Sequence, residues 1–247
     1  DLCRVPRGWC EKHNVGVEQR HWADIPGKGE TNSFMAAEAV REACARAKIR
    51  AEDLDLLIYA SASSERILPD TAPFVKRALG LESSSMACFS IHSTCLSFVV
   101  AFDVAATMLS AGRYDRVAVV SSEVSSVAVN PDQPESACLL GDGAAAVVLT
   151  RAGRGEPGAV HAAHFENHCA GVESATLRTG PAKHPKLETT TAKDHLFDMD
   201  GPAIVKAMQD VGTSFLEALR PGLSSRLPAD IALVVPHQPS GAGLDML

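Results

Sequence analysis

Residues 56–60 read LLIYA, five apolar positions in a row with no polar alternation. A strand with one wet face alternates apolar and polar side chains. A continuous apolar strand is covered on both faces, as in a parallel sheet flanked by helices. The preceding stretch, NSFMAAEAVREACARAKI (32–49), has helical spacing, and RAEDLDLLIYASASS (50–64) adds a turn, the strand and a polar tip. The plan recurs downstream. GPAIVKAMQDVGTSFLEALR (201–220) is again helical, and LPADIALVVPHQPSG (227–241) repeats turn, acidic residue, apolar strand and polar tip. A helix–strand unit seen twice predicts an internally duplicated α/β protein.

Between the copies lie MACFSI (86–91), RVAVVSSEV (116–124) and AAAVVLT (144–150), which read as strands. CLSFVVAFDVAATMLSAG (95–112) reads as a helix, with Gly112 placed to end it in a left-handed cap. Asp103 and Thr107 are nearly its only strongly polar residues, so the expectation is a helix covered on every side. That predicts a layered sandwich with a helix pair between two sheets.

Composition removes several classes of partner. Net charge is -7, and no Lys/Arg cluster is interleaved with aromatics, which argues against nucleic acid. The longest apolar stretch is interrupted by Asp103 and falls short of a membrane span. The first residues, DLCRVPRGWC, lack the apolar segment of a secretory signal. Seven cysteines without paired spacings read as reduced thiols, and the expected location is the cytoplasm.

Cys95 follows a strand and opens the apolar helix. Positive charge at a helix N-terminus would stabilise a thiolate and lower the thiol pKa, although a free cysteine can equally be a small core residue. Cys3, Cys10, Cys44, Cys88, Cys138 and Cys169 have no comparable placement. His237 closes the second apolar strand, at the end of a parallel sheet where ligand groups gather. Sequence alone leaves open whether it meets Cys95. His161, His164, His168 and Cys169 would suit zinc if they shared a helix face. GAVHAAHFENH follows Gly158 and reads as extended, however, which points His161 and His164 to opposite faces. GDGAAA (141–146) lacks both the dinucleotide-loop spacing and the Walker lysine, so it reads as a structural turn before a strand.

Taken in order, FSIHSTCLSFVVAFDVAATMLSAGRYDRVAVVSSE, LLGDGAAAVVL and VVPHQPSG resemble the ketoacyl synthase III branch of the thiolase-like condensing enzymes. VGVEQRHWA occupies the place of that family's early glycine-containing turn, and FDMDGPAIVKAM matches its later helix start. The resemblance implies a thiolase-like five-layer αβαβα sandwich of two duplicated halves, the second incomplete here. Residues 1–155 would form the half carrying Cys95, and residues 156–247 the beginning of the half carrying His237. It implies that Cys95 accepts an acyl group as a thioester and that His237 is its acid/base partner, helping to stabilise the enolate left by decarboxylation of a malonyl unit. Backbone N–H groups, that of Cys95 included, would form an oxyanion hole. Neither metal nor other cofactor is implied. The donor would be an acyl-carrier protein or acyl-coenzyme A, and the assembly a homodimer.

The chain departs from that pattern in places. The family's first strand and its third catalytic residue, commonly Asn, have no counterpart here. Cys95 is flanked by Ser93, Thr94 and Leu96 where small alanines are usual, and Cys10, Asn14 and Pro202 replace residues that grip coenzyme A. ERILPDTAP places Leu68 where an apolar residue closes the partner subunit's acyl tunnel, and Lys206 falls on the family's lysine at the pocket mouth. The implied function is an acyltransferase of fatty-acid or natural-product biosynthesis. It would pass the acyl group to a malonyl-carrier thioester, or to oxygen or nitrogen. The alternative is a non-catalytic partner subunit, which would be expected to have lost Cys95 or His237.

Overall fold

The computed structural model describes residues 5–153, 158–178 and 191–245. In chain order its helices are α1 (Trp9–Lys12), α2 (Ile25–Lys28), α3 (Asn32–Ala47), α4 (Thr71–Ala78) and α5 (Ser97–Ser110), then α6 (Pro134–Ala137), α7 (Gly201–Leu219) and α8 (Gly241–Leu244). Its strands are β1 (Leu56–Ala60), β2 (Ala87–Ile91), β3 (Arg116–Val124), β4 (Asp142–Thr150), β5 (Ala175–Leu177) and β6 (Phe197–Met199). The chain forms two compact units. One comprises His21–Ser126 and Gly141–His161; the other comprises Asp1–Arg20, Val127–Leu140 and Ala162–Leu247, as far as these are described. Cys3 and the expected boundary at 155/156 lie outside the described residues.

The first unit is built on a sheet of order β2-β1-β3-β4. β1 runs parallel to β2 and β3, with Leu56 opposite Ala87 and Val117, and β4 runs antiparallel to β3. Successive side chains on a strand face opposite ways, and here both ways are covered. Leu57, Tyr59, Ala118 and Val120 pack with Ala36, Ala37, Val40 and Cys44 of α3 and with Ala72 and Val75 of α4. Leu56, Ile58, Ala60, Val117 and Val119 pack with Ala101, Ala105 and Leu109 of α5. This is the two-sided burial that LLIYA predicts. Each fully buried Leu or Ile contributes about 1.5–3 kcal/mol.

Local signals set the helix ends. The Thr31 hydroxyl accepts from the Phe34 N–H at 3.3 Å to start α3, and Lys48 ends it at φ 58°. Beyond α5, Gly112 sits at φ 67°, with its N–H donating to Leu109 O and the Arg113 N–H to Met108 O. That is the expected left-handed cap, in Schellman form. The covering of α5 differs from expectation: Ala101, Ala105 and Leu109 are buried, while Val99 is 52% exposed. One sheet covers only the stripe of side chains that faces it.

Asp142, opening β4, holds this unit's loops. Its carboxylate accepts from the Ala23 N–H at 2.8 Å and from the Ser126 N–H and hydroxyl at 2.8 and 2.6 Å, and its own N–H donates to His21 O. The GDG segment has a structural role, but it is not the turn expected before the strand: Asp142 and Gly143 are already paired in β4 with Val124 and Glu123.

In the second unit Val15, Val129, Ala137 and Cys138 form a small core. Arg20 donates to the carbonyls of Ala137 and Leu140. The antiparallel pair β5–β6 is tied down by Gln133, whose amide donates to Met199 O at 2.9 Å and accepts from Met199 N at 3.0 Å. Asp200 caps α7 by accepting from the Ala203 N–H. At Gly16, φ 73°, a Cβ would meet Gly241 N at 2.9 Å, so only glycine lets α8 approach. The expected strand at 231–236 does not form. Leu233 and Val235 are 77% and 76% exposed, and among the described residues no strand pairs with this segment. Apolar pattern alone cannot make a strand, because its N–H and C=O groups need a neighbouring ladder.

Candidate active site

β2 ends at Ile91 and α5 starts at Ser97, so Cys95 lies in the turn between them and not in the helix. The helix cap, Leu96, makes no side-chain cap bond. The turn is held from inside. The Leu96 N–H donates to Ser93 O at 3.0 Å and the Ser97 N–H to Thr94 O at 3.1 Å. The Ser97 hydroxyl, on a residue only 2% exposed, donates to Thr94 O at 2.7 Å and accepts from the Ser93 N–H at 2.8 Å. Thr94 has φ 47°, a left-handed conformation rarely adopted by a β-branched residue.

The same end of the sheet carries a buried polar network. The Asn32 amide donates to Ser122 O at 2.9 Å and to the Ser63 hydroxyl at 2.9 Å, and the Tyr59 hydroxyl donates to Ser122 O at 2.8 Å. Burial pushes the Tyr59 phenol up to about 12. The Ser122 hydroxyl, fully buried, has no hydrogen-bond partner among the described residues. Alternation along β3 puts Glu123 on the α5 face with Val117 and Val119, the face from which Cys95 emerges. Its carboxylate accepts from the N–H groups of Ala62 and Ser63 at 2.6 and 2.8 Å. His92 donates from Nδ1 to Ser61 O at 3.1 Å.

These surroundings act on the thiol. Burial raises the Cys95 pKa, the Glu123 carboxylate raises it further, and the residue's own N–H pulls it down. The lowered thiol expected from a helix N-terminus is therefore reversed. The causes are burial and a nearby carboxylate, and the helix itself starts two residues after Cys95. Neither Ser97 nor Glu123 is evident as a site residue from sequence. Strand alternation puts Glu123 on a face, but only the fold brings that face to Cys95.

Leu68 is on the same unit, 83% exposed beside Ile67 at 74%, in the loop leading to α4. An open groove of about 820 Å³ runs between residues 21–30 and α3, lined by Trp22, Phe34, Met35 and Arg41 and by no residue of the cysteine turn.

The other unit carries His237 and Lys206. His237 is exposed and lies outside regular structure. Lys206, on α7, pairs with Asp210 one turn on at 2.9 Å, so its charge is shared and not solitary. Asn14 donates its amide to Asp245 Oδ2 at 2.7 Å, Cys10 packs against the small core, and Pro202 sits in the first turn of α7. His164 and His168 each bond the Glu166 carboxylate, at 2.7 and 2.8 Å, in the irregular stretch read as extended. Among the described residues no cluster has the arrangement of a metal site. Cys44 and Cys138 are buried, whereas Cys169 is exposed. No helix among the described residues is long and apolar enough to cross a membrane.

Residues 89–168, which include the cysteine turn, match the family model for 3-oxoacyl-[acyl-carrier-protein (ACP)] synthase III. The β-ketoacyl-[acyl-carrier-protein] synthase III of Methylococcus capsulatus is 34% identical over 227 residues, covering 91% of this chain and 66% of that protein. The chain belongs to the ketoacyl synthase III family. It spans about two thirds of the length of such relatives. The crystal structure of 3-oxoacyl-[acyl-carrier-protein] synthase III from Aquifex aeolicus matches with a TM-score of 0.76 at 26% identity, over 98% of this chain and 70% of that one. The Pseudomonas aeruginosa synthase III superposes with a TM-score of 0.79 at 24% identity, over 99% and 70%. The fold of this synthase III family member is therefore the thiolase-like α/β class.

Proposed function

We propose that the chain provides the acyl-accepting and acid/base residues of a ketoacyl synthase III-like acyltransferase. Cys95 attacks a thioester carbonyl, the carrier's C–S bond breaks, and the carrier thiol leaves with a proton. A malonyl-carrier thioester then loses CO₂, and its carbanion attacks the acyl carbonyl. A carbon–carbon bond forms and the Cys95 thiolate departs. His237 serves as acid/base partner and as donor to the enolate. The carrier is an acyl-carrier protein, with coenzyme A a weaker donor because Cys10, Asn14 and Pro202 offer neither a stacking ring nor a guanidinium. The working form is a homodimer in the cytoplasm. Residues 1–155 form the cysteine-bearing half, and 156–247 the start of the other.

One observation carries the reading: Cys95 emerges in a strand–turn–helix corner at the carboxyl ends of parallel strands, inside the stretch that matches the family. Because the thiol is raised, a base must ionise it, so His237 is needed for acyl uptake as well as for condensation. Intact-mass measurement after incubation with an acyl thioester tests this. The wild type gains one acyl mass, Cys95→Ala gains none, and His237→Ala gains it at least ~100-fold more slowly. An adduct that persists on Cys95→Ala would sink the assignment. No adduct on the wild type would favour a non-catalytic partner subunit.

A further inference from the structure

The turn that presents Cys95 holds a conflict and what offsets it. Thr94 is β-branched, yet it stands at φ 47°, where its Cβ crowds the backbone. Such a residue persists only where its surroundings over-determine it. Beside the backbone bonds from the Leu96 and Ser97 N–H groups, one buried hydroxyl spans the turn. Ser97 Oγ reaches back to accept from the Ser93 N–H and to donate to Thr94 O, bracketing the strained residue on both sides. The Thr94 hydroxyl adds a bond to Ser93 O at 2.8 Å. No cap at Leu96 shares the task.

We infer that Ser97 is a positioning residue, whose side chain holds Thr94 in its left-handed conformation and so fixes where the Cys95 sulfur stands. The inference rests on Cys95 being the nucleophile. Without the Ser97 hydroxyl, Thr94 relaxes toward negative φ, and the sulfur leaves its crowded place near the Glu123 carboxylate. Glycine adopts positive φ freely, so a chain with Gly at position 94 has no need of the clasp.

The test compares Ser97→Ala, Thr94→Gly and the double variant in the whole chain. Two readouts are used: single-turnover acyl uptake from an acyl thioester, and the pH profile of Cys95 alkylation by iodoacetamide, followed by peptide mass. Ser97→Ala should slow acyl uptake about 10- to 100-fold, as expected for a nucleophile displaced by about 1 Å. Its alkylation midpoint should move to lower pH as the sulfur leaves the carboxylate. The double variant should recover at least about tenfold of the uptake and regain the wild-type midpoint, since Gly restores the turn. A merely structural serine would lower thermal stability without moving the midpoint, and Thr94→Gly would not rescue it.

Uptake by Ser97→Ala within twofold of wild type, or a double variant no better than Ser97→Ala, overturns the inference. If Ser97→Ala does not fold, Thr94→Gly and the double variant are compared with each other. Rates within threefold support the clasp, and a tenfold gap overturns it. If the wild type takes up no acyl group, the proposed function fails, while the alkylation profiles still decide the role of Ser97.

Discussion

At the scale of single residues, Glu123 changes what Cys95 can do. A thiol at a helix start is ordinarily helped toward thiolate, yet here burial and a neighbouring carboxylate oppose it. The sign follows directly: a raised thiol stays protonated through neutral pH, so uncatalysed alkylation of Cys95 should still be climbing above pH 9. Glu123→Gln removes the negative charge, so its alkylation curve should lie at lower pH, with a rate at pH 8 about 3- to 10-fold higher. The cost falls on the loop, because an amide cannot accept from both the Ala62 and Ser63 N–H groups as the carboxylate does. An unchanged alkylation profile in Glu123→Gln would mean that the carboxylate is electrically remote from the sulfur.

At the scale of elements, α5 illustrates how a local signal can be read and a global one misread. Gly112 ends the helix as its sequence position indicates. The space around its missing Cβ is nearly open, with Arg151 Nη1 at 3.9 Å, so substitution costs conformation more than packing. Gly112→Ala should therefore destabilise the protein by about 1 kcal/mol in urea denaturation, with the m-value unchanged. A neutral result would show that the cap relaxes without loss. The apolar run at 231–236, like LLIYA, reads as a strand, but among the described residues it has no strand to pair with. Strand formation is a property of pairs, so identical patterns end in different structures.

At the scale of the whole molecule, Leu68 and Ile67 stand side by side in a loop, 83% and 74% exposed. In the proposed homodimer the family resemblance would place Leu68 at the partner's acyl tunnel, where its bulk would set the acyl-chain length accepted. Leu68→Ala should extend the longest chain taken up, and Leu68→Trp should confine uptake to short ones, as read by competition among thioesters of increasing length. An unchanged profile in both variants would detach Leu68 from the tunnel. Lys206, tied to Asp210, is a weaker lure for an acidic carrier than a lone lysine would be.

The sequence by itself determined the parallel strands, the helices α3 and α7 and the cap at Gly112, because each rests on periodicity or order along the chain. Only the tertiary structure decided the rest. It covered one stripe of α5, gave 231–236 no partner strand among the described residues and put the start of the helix beyond Cys95. It also brought Glu123, sixty residues from the loop it binds, to the face from which Cys95 emerges. Periodicity shows which way a side chain points. Only folding decides what stands there to meet it: burial first, and the Glu123 carboxylate second, raise the Cys95 thiol.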